Sequence, residues 1–155
     1  DLGVVADIQN RNVFGRGFTF GLYGRVERRL YSNSAYLTFP TFFGRAVQTN
    51  IFGSRSRQDR LLDGSVEPDF QQRREVASIE QRIRRTRAFE ITYGYRVTNE
   101  VLDAFDPDDP FLNETLIGRF TGAVLLDRRD DPFDATRGWF GSATAERVSE
   151  FRGGS

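Results

Sequence analysis

The chain has no cysteine, no histidine and no methionine, and only 5 prolines and 1 tryptophan in 155 residues. Without cysteine there is no disulfide framework and no thiol chemistry. Without histidine, serine–histidine and aspartate–histidine hydrolysis cannot be built, and metal catalysis would need an all-carboxylate site. No paired carboxylates stand at a credible spacing, so the chain reads as a non-enzyme with no cofactor and no metal. No run approaches the ~18 consecutive apolar residues of a transmembrane helix. Neither sign of charge dominates, since 22 basic residues balance 22 acidic ones. That balance argues against nucleic acid, which wants a basic surface. The chain starts at Asp1 with no signal peptide, and reads as a mature protein, a domain or a fragment of something longer.

What the chain does have is alternation. From Gly17 to Arg29, Phe18, Phe20, Leu22, Gly24 and Val26 point one way. Thr19, Gly21, Tyr23, Arg25, Glu27 and Arg29 point the other. From Ala88 to Val97, Phe89, Ile91, Tyr93, Tyr95 and Val97 share a face, opposed by Glu90, Thr92, Gly94 and Arg96. Period two means strand. Eight such segments follow one another: Leu2–Gln9, Phe18–Arg29, Ala35–Phe39, Ala46–Ser56, Arg74–Arg85, Ala88–Leu102, Thr115–Leu126 and Gly138–Val148. Between them lie a glycine-rich turn at Asn10–Gly17, a short loop at Leu30–Asn33, a tight turn at Phe42–Arg45 and another near Thr86. Two connections are long and polar, Gln58–Phe70 and Asp103–Asn113, and Arg128–Arg137 precedes the last strand.

Two architectures fit this alternation. In a soluble sandwich or lipocalin-like barrel the apolar faces turn inward. In a transmembrane β-barrel they turn outward to lipid. The mean hydropathy of −0.51 and the 28% of charged residues suit either, because in a membrane barrel only every second residue meets lipid. Strand length favours the membrane: most segments run about 10 to 14 residues, against about 5–6 in soluble proteins. Aromatics near the ends of the apolar faces (Phe18, Phe39, Phe89, Tyr95 and Trp139) also suit an interfacial girdle. Partly alternating loop lengths suit short turns on one side and long loops on the other. The expected fold is an all-β, antiparallel up-and-down transmembrane β-barrel of eight strands, a single domain over residues 1–155.

Three motifs occur in order. Asn12-Val13-Phe14-Gly15-Arg16-Gly17 resembles the N-L-F-G-x-G turn of the BamA/TamA superfamily of outer-membrane assembly and translocation factors. Leu37-Thr38-Phe39-Pro40, followed by Phe43-Gly44, resembles that family's next strand and turn. Asp127 to Trp139, with Asp130, Asp131, Pro132 and Gly138, resembles its D-x-R-D-D-P-x-x-P-T-x-G turn, with Ala135 where the family has Pro. The resemblance covers nearly the whole chain. It implies a bacterial outer-membrane location, lipid as a partner and client outer-membrane proteins. That family's barrel has sixteen strands preceded by POTRA domains. This chain matches about half of those strands, from the N-terminal side, with no POTRA domain and no counterpart of the family's V-R-G-[FY] loop. The implied role is therefore that of a barrel related to insertion and translocation factors and incomplete as an insertase by itself. The alternative is a passive structural or pore-forming barrel.

The charges at polar-face parity are the candidate functional residues: Arg25, Glu27, Arg29, Glu80, Arg82, Glu90, Arg96, Arg119, Asp127 and Glu146. In a closed eight-stranded barrel they would fill the interior, where unpaired charges are costly. Glu90 and Arg119, on adjacent strands, are expected to pair. Gly15 and Gly17 are expected to take positive φ in the first turn. Asp103, Asp106, Asp108 and Asp109 could offer oxygen ligands to calcium, but their spacing fits a solvated loop better.

Edges are the remaining difficulty, because an unpaired strand edge does not survive in lipid. The eight strands close on themselves, or two copies join edge to edge, or the missing half of a longer chain completes the barrel. The first needs only this chain and is the expectation.

Overall fold

A computed structural model describes residues 2–41, 45–60, 70–104, 112–131 and 133–152. They form eight strands: β1 (Val4–Val13), β2 (Phe18–Glu27), β3 (Leu30–Phe39), β4 (Val47–Arg60), β5 (Phe70–Thr86), β6 (Phe89–Ala104), β7 (Leu112–Asp127) and β8 (Phe140–Arg152). Each strand pairs antiparallel with the next, so one up-and-down sheet runs in the order β1 to β8. No described residue lies in a helix. The ladder is interrupted by irregularities in β1 between Asn10 and Val13 and in β5 between Arg84 and Thr86.

The alternation read from the sequence reappears as two faces. Paired residues share a face, so the register carries each face across the sheet. One row runs Ile8, Leu22, Ala35, Gly53, Ala77, Val97, Gly118; the next runs Phe20, Leu37, Ile51, Ile79, Tyr95, Phe120. The opposite face carries Arg25, Glu80, Arg82, Glu90, Arg96, Arg119 and Glu146.

The expected closure is not formed. Among the described residues β1 bonds only to β2 and β8 only to β7, leaving an open sheet. The charged face supplies a physical reason. Arg96 stands directly opposite Arg119. An eight-stranded barrel has an interior just wide enough for side chains, so closure would desolvate both cations together. The sheet is one layer thick, and no hydrophobic residue among those described is buried. The chain exposes 11946 Å², where a compact protein of its mass exposes about 8,000 Å².

Several boundaries differ from the sequence reading. Residues 30–33 belong to β3, so β2 and β3 are joined through residues 28–29 alone. Arg29 therefore lies in a turn and not at strand parity. Residues 10–13 extend β1. Strands β4 to β7 run 14, 17, 16 and 16 residues. At the outer ends of β4 and β5 both faces are polar, and the ladder continues there without apolar alternation.

Candidate functional site

On the charged face, the ion pairs among the described residues are local. Arg25 pairs with Glu27 two residues along β2. Glu90 bridges two cations of β5: Arg84 Nη2 is 2.6 Å from its Oε2, and Arg82 Nε is 3.3 Å from its Oε1. Asn50 Nδ2 donates to Glu80 Oε1 at 3.3 Å. Arg119 Nε is 3.6 Å from Glu146 Oε1. Asp127 ends β7 and accepts from Arg129 at 2.8 Å. The expected Glu90–Arg119 pair is absent, because Glu90 faces Leu125 and Arg119 faces Arg96 and Val148. Parity places these residues on one face of the sheet, and register gives Glu90 and Arg119 different partners.

The motif turns gather at one end of the sheet. In the first, Phe14, Gly15 and Gly17 have φ of 58°, 68° and 70°. Asn12 holds this turn: its Oδ1 accepts from Gly17 N at 2.8 Å, and its carbonyl accepts from Gly15 N at 3.1 Å. The second motif meets the first here, with the rings of Phe18 and Phe39 edge-to-face at 4.9 Å and Pro40 beside Gly17. Gly44 and Pro132 lie outside the described residues. In the third turn, Asp130 accepts from the backbone N–H of Thr136 and Arg137, both at 3.1 Å, and from Thr136 Oγ1 at 2.6 Å. Those donors pull its carboxyl down to about 2. Asp131 Oδ1 accepts from Phe133 N at 2.8 Å. Gly138, at φ 99°, leads the chain into β8. The opposite end carries the 28–29 turn and the strand ends joined through 61–69 and 105–111. Of the acidic residues weighed as calcium ligands, Asp103 belongs to β6 and accepts from Arg73 at 3.2 Å. The others lie outside the described residues, and no described group of side chains is arranged to hold a metal.

The apolar face is a band that crosses the rows at an angle. Its limit toward the motif end is Ile8 on β1, where Asn10 comes next at that parity. The row through Ile8 reaches β7 at Gly118. Yet on β7 the apolar residues continue through Phe120, Gly122 and Val124 to Leu126. The other limit drifts less: Ala6 and Gly24 lie inside the band, their row passes to Asn33, Arg55, Glu75 and Asn99, and it meets an apolar residue again at Leu116 on β7.

Beyond that second limit, Arg55, Arg57 and Arg73 occupy apolar-face parity. The sequence reading passed over these three. Their signal was arginine at the positions where alternation calls for an apolar residue.

Comparison with protein-family profiles, curated proteins and solved structures gives no match.

Proposed function

We propose that the chain forms part of the wall of a bacterial outer-membrane β-barrel related to protein-insertion and translocation factors, and that it is not a complete insertase alone. The inclination of the apolar band carries this reading. From Gly118 to Leu126 is 126 − 118 = 8 residues, gained over six strand steps. With about 3.3 Å per residue and about 4.8 Å between strands, the motif-side limit of the band lies about 40° from the perpendicular to the strands. Membrane barrels tilt their strands by about 35–45°. On β7 the band runs from Leu116 to Leu126; at that tilt it stands about 25 Å high, the height of an outer-membrane apolar belt. The absence of a buried hydrophobic core among the described residues agrees, since the apolar side chains then pack against lipid.

The assembly-related role draws on the motif turns, which share one end of the sheet as periplasmic turns would. Reduced insertion of other barrels when this protein is depleted would support it. A second reading, a passive pore, draws on Arg96 opposite Arg119. Like charges in direct register tolerate a water-filled lumen better than a packed one. Small-solute conductance without any effect on other barrels would favour that reading.

The absence of cysteine allows a direct test of the membrane placement. Single cysteines replace Ile8, Gly118 and Leu126, carry a fluorophore, and are read by depth-dependent quenchers in bilayers. Positions 8 and 126 should report the same depth, and 118 a depth about 20 Å away. Equal depths at 8 and 118, or no quenching at any site, would overturn the reading.

A further inference from the structure

Two hollows on the apolar face of β2 to β5 join end to end. The upper one, about 510 Å³, includes Tyr31, Arg55, Arg57 and Arg73 in its lining. The lower one, about 500 Å³, is lined by Ile8, Leu22, Gly24, Ala35 and Gly53 among others. Asn33 and Arg55 line both, so the two are continuous. We propose that this groove holds one phosphate-bearing membrane lipid, its phosphate on Arg57 and Arg73 and an acyl chain over Gly24, Ala35 and Gly53. The proposal rests on the membrane placement above.

Register and charge carry the head of the site. Arg57 and Arg73 stand directly opposite each other. Like charges in that relation repel unless an anion lies between them. Arg57 makes no ion pair among the described residues. Arg73 reaches Asp103 through Nη2 at 3.2 Å, but its Nε is buried without a hydrogen-bond partner. Of the carboxylates of the upper hollow, Glu27 is held by Arg25 and Asp59 accepts from Gln71 Nε2 at 3.2 Å, while Arg55 pairs with Glu75 at 3.3 Å; neither carboxylate of the hollow bridges Arg57 to Arg73. Guanidinium groups suit phosphate because their planar forks donate paired hydrogen bonds.

Depth and shape carry the tail. Arg55 and Arg57 are two and four residues past Gly53 on β4, about 7 and 13 Å along the strand. That places them at headgroup level when the band fills the hydrocarbon. Below them, Gly24, Ala35 and Gly53 recess the surface between the larger Ile8, Leu22 and Tyr31. No atom lies within 4 Å of where a Cβ on Gly24 would stand. A free phosphate would use only the arginines; a lipid uses both hollows.

The test titrates the full chain, refolded in zwitterionic micelles, with phosphatidylglycerol or phosphatidylcholine of matched chains, and reads retained lipid by native mass spectrometry. The expected result is about fivefold stronger retention of phosphatidylglycerol, because both lipids offer the same phosphate but the choline cation repels the arginines, an effect on the scale of an exposed ion pair. Arg57→Gln with Arg73→Gln should abolish the preference. Gly24→Leu, which enters open space, should weaken retention of both lipids and leave the fold intact. Equal retention of the two lipids overturns the proposal. So does saturation by glycerol phosphate alone, which would mean a site for soluble phosphate. The depth measurement separates the failures: a chain that does not enter bilayers loses both readings, whereas one that enters without headgroup preference loses only the groove.

Discussion

Thr136 donates its hydroxyl to Asp130 at 2.6 Å, and this bond ties the two sides of the β7–β8 connection across six residues. Backbone donors from Thr136 and Arg137 complete the grip. They hold the carboxyl at about 2, against an ordinary 3.8. A depressed folded-state value stabilises the turn only while the group is ionised. The contribution is complete above about 3.8 and is lost as pH falls through about 2. Carboxyl-carbon NMR should place the Asp130 midpoint near the lower value, and Thr136→Ala should raise it. A midpoint at the ordinary value in the native chain would mean that the cap does not form in solution.

Gly138 makes the same turn intolerant of a side chain. Its φ is 99°, and a Cβ there would fall on the Arg128 carbonyl oxygen. Gly138→Ala should cost more than the 1–3 kcal/mol or so of left-handed strain alone, because a clash with backbone adds to it. Gly15 is the control. Its φ of 68° lies where asparagine is tolerated, and nothing stands within 4 Å of a Cβ. Gly15→Asn should lower stability by well under about 1 kcal/mol. Urea unfolding of the two variants in detergent makes the comparison, and equal losses would sink it.

The contrast between strands and partners explains what the sequence made legible. Period two needs only near neighbours, so the faces of β2 and β6 could be read residue by residue. The start of β3 was missed because Tyr31-Ser32-Asn33-Ser34 has turn-like composition. Its strand conformation comes from pairing on both sides, with β2 and with the outer half of β4. The outer ends of β4 and β5 were missed for the same reason: Arg57 faces Arg73 and Gln58 faces Gln72, so neither face signals burial. Ion-pair partners were out of reach because they depend on register, which no single strand records. Closure was out of reach because it depends on curvature and on a seam, to which local pattern is blind.

Glu90 offers the sharpest test of that register. It contacts Arg82 and Arg84, and its side chain is only 18% exposed. Glu90→Gln should lower stability by roughly 1–2 kcal/mol, above the median of surface pairs and below a fully buried one. In a double-mutant cycle it should couple to Arg84→Gln. It should show almost no coupling to Arg119→Gln, whose charge is answered by Glu146. Strong coupling between positions 90 and 119 would mean that the β6–β7 register is wrong.

The free edges of β1 and β8 set the last prediction. On the membrane placement proposed above, each backbone group left unpaired in lipid costs several kcal/mol, so the edges must meet something. The band constrains how. At apolar-face parity, Gly141, Ala143 and Ala145 form one uninterrupted apolar run at the start of β8, and Val4, Ala6 and Ile8 form another on β1. Any seam that keeps the band level must bring these two sets to the same depth, side by side. β1 and β8 run in opposite directions, so a β8 edge can accept a β1 edge as one more antiparallel neighbour. Two copies joined at both seams give 8 + 8 = 16 strands with a water-filled lumen for the charged face. With cysteines at Ala6 and Ala143, mild oxidation in micelles should give a covalent dimer and no bridge within a 17.7 kDa monomer. A bridge within one chain would mean that the eight strands close on themselves despite Arg96 facing Arg119. No bridge at either mass would mean that a different chain, or more of this one, completes the wall.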